Sequence, residues 1–360
     1  MSRLVSTILI LTCACVDRYS FDISSAEKTL VVDGIITNDP GPYVVSLVWT
    51  DRVTDYLLSK TKVSKAKVII KEDDNNYEVL KEVSPGLYQT SENGIQGEIG
   101  HQYHVEIETT NGGLFYSEPE ELKPAGEIDS IYFKLVYHQA IVNDQLQEAN
   151  EFNIFINERK ENDSLLFRWR WTGVYELFTH PELALAPHGG SLLPLPCSGY
   201  ITSDGISIQK IDRCTCCDCW VMEFQQIPIV SDNQIADGLE FKGKSVGFIP
   251  IGYKRFFNKY YFQLEQLSLN EMSYNFWKQV AVLKQAGSNF FQPTLGKIPT
   301  NIISPNGHAV LGIFSASGVT KKNLWIKRSD VPYPLPDEII RESCLAEDSL
   351  ASNIQPEFWN

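Results

Sequence analysis

From residue 30 onward the chain alternates apolar and polar positions with a period of two, the pattern of strands that turn one face to a core. Leu30-Val31-Val32-Asp33-Gly34-Ile35-Ile36 is the first such run and Tyr43-Val44-Val45-Ser46-Leu47-Val48-Trp49 the second. Asn38-Asp39-Pro40-Gly41-Pro42 between them is turn chemistry. Further runs at 67–71, 77–83, 85–89 and 102–109 continue the series. Short strands at roughly 8–12-residue spacing predict an antiparallel sandwich. Asp73-Asp74-Asn75-Asn76 has oxygen ligands suited to calcium, but reads first as a turn between two of these strands. Residues 26–124 have the length of one immunoglobulin-like β-sandwich, and Pro119 and Pro124 punctuate its end. A domain boundary is expected near 123–126.

The second region, 125–330, begins with strands at 128–137 and 151–156. The run SLLFRWRWTGVYE at 164–176 puts Phe167, Trp169, Trp171 and Gly173 on one face and Leu166, Arg168, Arg170 and Thr172 on the other. An aromatic row of this kind reads first as core packing and second as a stacking platform for a ligand. Residues 180–200 form an irregular insertion that is too apolar for a free linker, so it should pack down or bind something. A helix is expected over 269–286. Ser268 and Glu271 fit a capping box, Met272, Phe276, Val280 and Leu283 recur at helical spacing, and Gly287 is a stop. Residues 309–319 and 323–327 read as a closing hairpin, and 331–360 as a Pro-rich polar tail. The expected fold is mainly β: an N-terminal sandwich, then a larger β-rich domain with one amphipathic helix.

Composition changes the picture in two respects. Of 360 residues, 43% are apolar and 21% charged, enough to bury a core. With 31 Lys+Arg against 45 Asp+Glu, the net charge of −14 argues against a nucleic-acid partner.

The N-terminus sets the compartment. Arg3 precedes an apolar stretch at 4–11 (LVSTILIL), too short to span a bilayer, and then Thr12-Cys13-Ala14-Cys15. Residues 1–14 read as a lipoprotein signal peptide, with Cys15 as the lipid-bearing residue because Ala14 is the better residue before the cut. Residues 15–25 would then be a tether holding the protein to a membrane by its lipid. Only Asp17 and Asp22 are acidic in it, so both the cell surface and the periplasmic face stay open.

Six further cysteines follow: Cys197, Cys214, Cys216, Cys217, Cys219 and Cys344. In an exported chain disulfides are the default. Adjacent Cys216 and Cys217 should not pair with each other, which makes Cys197 and Cys344 their natural distant partners; the connectivity stays open. The rival is a soft-metal site, disfavoured because the spacing is tight and no His lies in the cluster. Trp220, just past the cluster, joins Trp169 and Trp171 as a possible ligand contact.

No nucleophile-elbow, zinc-protease, phosphate-loop or dinucleotide motif occurs. His101 and His104 fall three apart in a predicted strand, a poor metal pair. No enzyme activity, cofactor or metal is expected.

An ordered set of segments spans the C-terminal half: Cys219-Trp220, Phe248-Ile249-Pro250-Ile251, Lys259-Tyr260-Tyr261, LSLNEMSYNFWKQV at 267–280, Asn289-Phe290-Phe291 with Pro293, Asn301-Ile302, and VLGIFSASGVTKKNLWI at 310–326. Together with Cys15-Val16-Asp17 and Leu30-Val31-Val32-Asp33-Gly34, this order resembles the Bacteroidota lipoproteins grouped as domain of unknown function 4249. Where that family often has Gly-Asn-Ile this chain has Thr300-Asn301-Ile302, and its cysteine cluster is fuller. The resemblance implies an outer-membrane lipoprotein with β-rich domains and, as partner, a TonB-dependent transporter of the starch-utilisation type. It implies no catalytic residue. The expected role is an accessory binding protein for nutrient capture or gating, with cargo unknown. The alternatives are a structural or adhesion-type surface module and a metal-handling protein using the 214–219 cysteines.

Overall fold

The period-two runs build two β bodies in a computed structural model that describes residues 28–50, 60–73, 76–137, 139–142, 145–148, 150–159, 166–231, 240–286 and 298–359. Cys15, the signal peptide 1–14 and the tether 15–25 lie outside the described residues, as do residues 74 and 75 of the Asp/Asn turn.

In the first body, Thr29–Thr37 pairs antiparallel with Val44–Thr50, which passes on to Leu87–Gln89 and Lys81–Ser84. Facing it, Gln102–Glu108 pairs with Lys67–Glu72 and Leu114–Ser117, and Lys67–Glu72 with Asn76–Val79. Leu30, Val32, Ile36, Val45 and Leu47 point inward from one sheet and Val68, Ile70, Val105 and Ile107 from the other, forming a single core. Each fully buried side chain of this size contributes about 1.5–3 kcal/mol relative to exposure.

This sandwich is not complete within 26–124. Val310–Ser317 lies parallel to Thr29–Thr37 in unbroken register from Leu30↔Val310 to Thr37↔Ser317, and Ile302–Ile303 pairs with Leu114–Ser117. Phe314, Ala316 and Ile302 enter the same core. Without 310–317 the apolar strand 29–37 would be an open sheet edge. A parallel neighbour cannot come from a tight turn, so it arrives from far along the chain. The expected hairpin of 309–319 with 323–327 therefore does not form. The chain turns at Gly318 from one body into the other, and Val319–Lys327 pairs with Lys259–Leu269. Two glycines permit this path. A Cβ on Gly312, whose φ is +100°, would lie 1.8 Å from the Val32 carbonyl oxygen, and one on Gly318 would lie 2.3 Å from the Lys123 carbonyl oxygen. Thr300, where the family often has Gly, donates its hydroxyl to the Gly312 carbonyl at 2.7 Å and accepts from the Ile302 amide at 3.1 Å.

The second body is also two sheets. Glu151–Arg159 pairs with Glu127–Val136 and Glu240–Pro250. The other sheet runs from Val319–Lys327 through Lys259–Leu269, Leu166–Phe178 and Asp218–Phe224 to Ala351–Ser352. Phe152, Ile154, Ile156, Val246 and Ile249 meet Phe167, Trp169, Phe262 and Leu264 between them. The tail is not a polar appendage: Val331, Leu335, Ile340 and Cys344 enter this core, and Trp359 is buried against Val174 and Tyr261.

The helix spans Glu271–Ala286, close to expectation, but two details differ. Ser268 belongs to the strand Lys259–Leu269 and does not cap the helix, whose first turn closes through Tyr274 N to the Asn270 carbonyl at 2.8 Å. The buried face carries Ser273, Tyr274, Phe276 and Ala281, while Met272 and Leu283 are exposed. The face is turned because Ser273 serves a polar seam between the bodies. There the carboxylate of buried Glu120 accepts from Ser273 Oγ at 2.8 Å and from Asn301 Nδ2 at 3.1 Å. Burial outweighs these bonds and holds the Glu120 carboxyl above the usual range. The 123–126 segment is pinned rather than free. Ser268 Oγ donates to the Lys123 carbonyl and accepts from Gly318 N at 2.8 Å, and Gln266 Nε2 donates to the Ala125 carbonyl at 2.8 Å.

Candidate functional site

The cysteine cluster is a knot of three disulfides, Cys197–Cys216, Cys214–Cys217 and Cys219–Cys344. Cys216 reaches distant Cys197. Cys217 turns back to Cys214, and Cys344 reaches Cys219 instead of the adjacent pair. Strand geometry explains the choice. Cys219 is fully buried on the inner face of Asp218–Phe224, toward the core that the tail enters, while Cys214 and Cys217 lie in the irregular approach to it. With every one of these sulfurs oxidised, the cluster has no thiolate to offer a metal. Among the described residues no group of three or more His, Cys, Asp or Glu side chains is placed to hold a metal ion, and no helix is long and apolar enough to cross a membrane. His101 precedes the strand beside Glu72 and Asp73, whereas His104 is on the strand facing Glu106.

The disulfides secure the 180–217 excursion to the sheet. It folds into two short 3-10 turns, Pro181–Leu183 and Pro196–Ser198, and a small hairpin of Tyr200–Ile201 with Gln209–Lys210. Leu185, Leu193, Ile201, Ile206 and Ile211 remain exposed on it.

The three tryptophans do not share a site. Trp169 is 0% exposed and its indole N–H donates to Gln266 Oε1 at 2.6 Å, so it is a core residue and no ligand contact. Trp220 lies on the outer face of its strand, beside a shallow 520 Å³ hollow walled by Met222, Phe224, Leu350, Ile354 and Pro356. Trp171, two residues along from Trp169, reaches the place where the two sheets of the second body part, and lines a 420 Å³ cavity there. That volume is in the range of small-molecule sites, roughly 300–1,000 Å³.

Three strands, the segments next to them and Gln285 of the helix shape this cavity. Trp171 comes from Leu166–Phe178, Gly247, Phe248 and Pro250 come from Glu240–Pro250, and Phe224 and Gln225 come from the end of Asp218–Phe224. Gly247 lets the indole lie against the opposing strand, since a Cβ there would sit 2.8 Å from Trp171 Nε1. Phe262 backs the ring at a centroid distance of 5.4 Å. One wall is charged but self-contained. Arg255 donates to both carboxylate oxygens of Glu223, Nε at 3.1 and 3.2 Å and Nη2 at 3.0 Å. The Tyr260 hydroxyl also donates to Glu223. Burial, with the Glu223 charge second, pushes Tyr260 well up. Burial pushes Tyr175, stacked on Tyr260 at 6.2 Å, up to about 12. Burial disfavours the Arg255 charge, but the Glu223 hydrogen bonds outweigh it and raise the group overall. Both phenols therefore keep their protons at neutral pH, and the cluster braces the wall.

Of the residues lining this cavity, the sequence offers only Trp171 as a ligand contact; Phe248 and Pro250 stand out only within the ordered family segments. Gln225, Glu223 and Arg255 carry no signal because they follow no shared period. They converge only when the sheets pack.

Among known families, a model described as a domain of unknown function, DUF4249, matches residues 16–323. The chain belongs to this family. The DUF4249 match takes in the first body, the strand exchange at 310–317, the Trp171 cavity and five of the six paired cysteines. Cys344 and the tail lie past it. No curated protein and no solved structure matches the chain.

Proposed function

We propose that this DUF4249 protein is a lipid-anchored outer-membrane accessory binding protein that works with a TonB-dependent transporter in nutrient capture or gating. The observation that carries the binding role is the cavity beside Trp171, with aromatic walls and a braced charged rim. Support for the anchor is the apolar run at 4–11 followed by Ala14-Cys15. Support for export is the disulfide knot, which suits an oxidising compartment. Support for a partner is the excursion, whose exposed Leu193, Ile206 and Ile211 are the kind of apolar surface that another protein covers.

The test is recovery of the native lipidated protein from gently solubilised outer membranes, with mass spectrometry of what comes with it. A barrel transporter at near-equal amount is the expected result, reduced by Ile206→Asp and retained by a Trp171→Ala variant. Recovery of the protein alone would remove the transporter from the proposal. Cys15→Ser should move the protein out of the membrane fraction. Surface labelling of intact cells would separate the outer from the periplasmic face.

A further inference from the structure

We infer that the cavity beside Trp171 takes a neutral, largely apolar, ring-bearing small molecule that carries a carbonyl-type hydrogen-bond acceptor. This deepens the binding role proposed above and rests on it. Trp171, Phe224, Ile227, Phe248 and Pro250 supply apolar and aromatic walls, which favour a ligand that brings rings and little charge.

The two charges on the wall exclude ionic ligands. Glu223 and Arg255 are engaged through both carboxylate oxygens and two guanidinium nitrogens, and Tyr260 adds a third donor to Glu223. The pair is net neutral, so an anion at the remaining guanidinium N–H groups meets the Glu223 charge beside it, and a cation at Glu223 meets the Arg255 charge. Neither ion gains a net opposite charge to offset its own desolvation. The pair thus acts as a filter for neutral molecules.

One polar group on the wall is left over. The Gln225 side-chain nitrogen is buried and has no hydrogen-bond partner in the protein. Its residue is held in place because the Gln225 amide donates to the Trp171 carbonyl at 3.2 Å. The nitrogen has no accessible surface of its own, so it meets a ligand only once the side chain turns toward the indole; a ligand oxygen there would then satisfy a donor that is costly to leave unpaired. A carbonyl oxygen does this without bringing charge.

The test is titration of the full chain, carrying Cys13→Ser and Cys15→Ser so that no detergent is needed, with two fluorescent probes of one shape. The neutral ketone is 6-propionyl-2-dimethylaminonaphthalene, and its anionic counterpart is 6-dimethylamino-2-naphthoic acid. The expected result is saturable one-to-one binding of the ketone with a blue shift, and binding of the acid at least tenfold weaker. Gln225→Leu should weaken the ketone about fivefold or more and leave the acid unchanged. Phe248→Ala, a change at an exposed side chain, should weaken the ketone, while Ile354→Ser at the Trp220 hollow should not. Acid binding as tight as the ketone would overturn the neutral-ligand assignment and leave the binding role standing. Absence of saturable ketone binding, or binding indifferent to Phe248→Ala, would overturn the cavity as the site and remove the main support for the binding role.

Discussion

Replacing Cys219 and Cys344 together by alanine opens a covalent loop that spans 125 residues. A cross-link restricts the unfolded chain, and the restriction grows with the logarithm of the loop it closes. For a loop of this length the chain-entropy relation gives about 5 kcal/mol at room temperature. The same relation gives about 3 kcal/mol for the Cys197–Cys216 bridge, with a separation of 19, and about 1.6 kcal/mol for Cys214–Cys217, with a separation of 3. The first pair carries a second cost, because both cysteines are fully buried in the core that the tail enters and alanine leaves a small void. Urea unfolding of the oxidised protein and the three double variants, followed by intrinsic fluorescence at one pH, measures the order directly. The midpoint should fall most for Cys219/Cys344, less for Cys197/Cys216 and least for Cys214/Cys217. The slope should rise most for the first pair, because its freed denatured chain exposes more surface. Equal losses for the 125-residue and 3-residue bridges, or a loss under about 1 kcal/mol for the first, would refute the restriction of the unfolded chain as the source of stability.

Gly312→Ala should destabilise by about 3 kcal/mol or more, since its Cβ meets the Val32 carbonyl at 1.8 Å and φ is +100°; loss of cooperative thermal unfolding in the first body is the readout. Because burial raises the Glu120 carboxyl in the folded state, its contribution to stability is full below the usual glutamate range and is lost as pH rises through the raised value. Wild type should therefore lose stability relative to Glu120→Gln between acid and neutral pH in parallel urea titrations, and identical pH slopes would exclude Glu120 as the source. The Arg168 guanidinium lies 3.3 Å from the Trp277 ring centroid, its Nε has no hydrogen-bond partner, and burial, with the Arg170 charge next, lowers its pKa to about 9. A double-mutant cycle of Trp277→Leu with Arg168→Met should give a coupling of about 1–2 kcal/mol.

Sequence alone determined the local layer of this protein. The alternation at 30–36, 43–49 and 67–71 specifies strands and their inward faces, because side-chain direction along a strand follows from backbone geometry. The helix near 269–286 is legible from its spacing, and the family from an ordered set of segments. Tertiary structure decided what those strands pair with. Val310–Ser317 is an apolar strand that any open edge would accept, and it joins Thr29–Thr37 across nearly the whole described chain, not its near neighbour. Ser268 is a capping residue by pattern and a seam residue in fact, since the hydroxyl serves Lys123 and Gly318. The disulfide partners, the buried Glu120 seam and the convergence of Trp171, Gln225 and Phe248 belong to the same class. Backbone hydrogen bonds are alike at every residue, so the ladder carries no address. Which segments meet is settled by burying the apolar faces together while the buried backbone polar groups find partners, a condition on the whole chain that no single segment states.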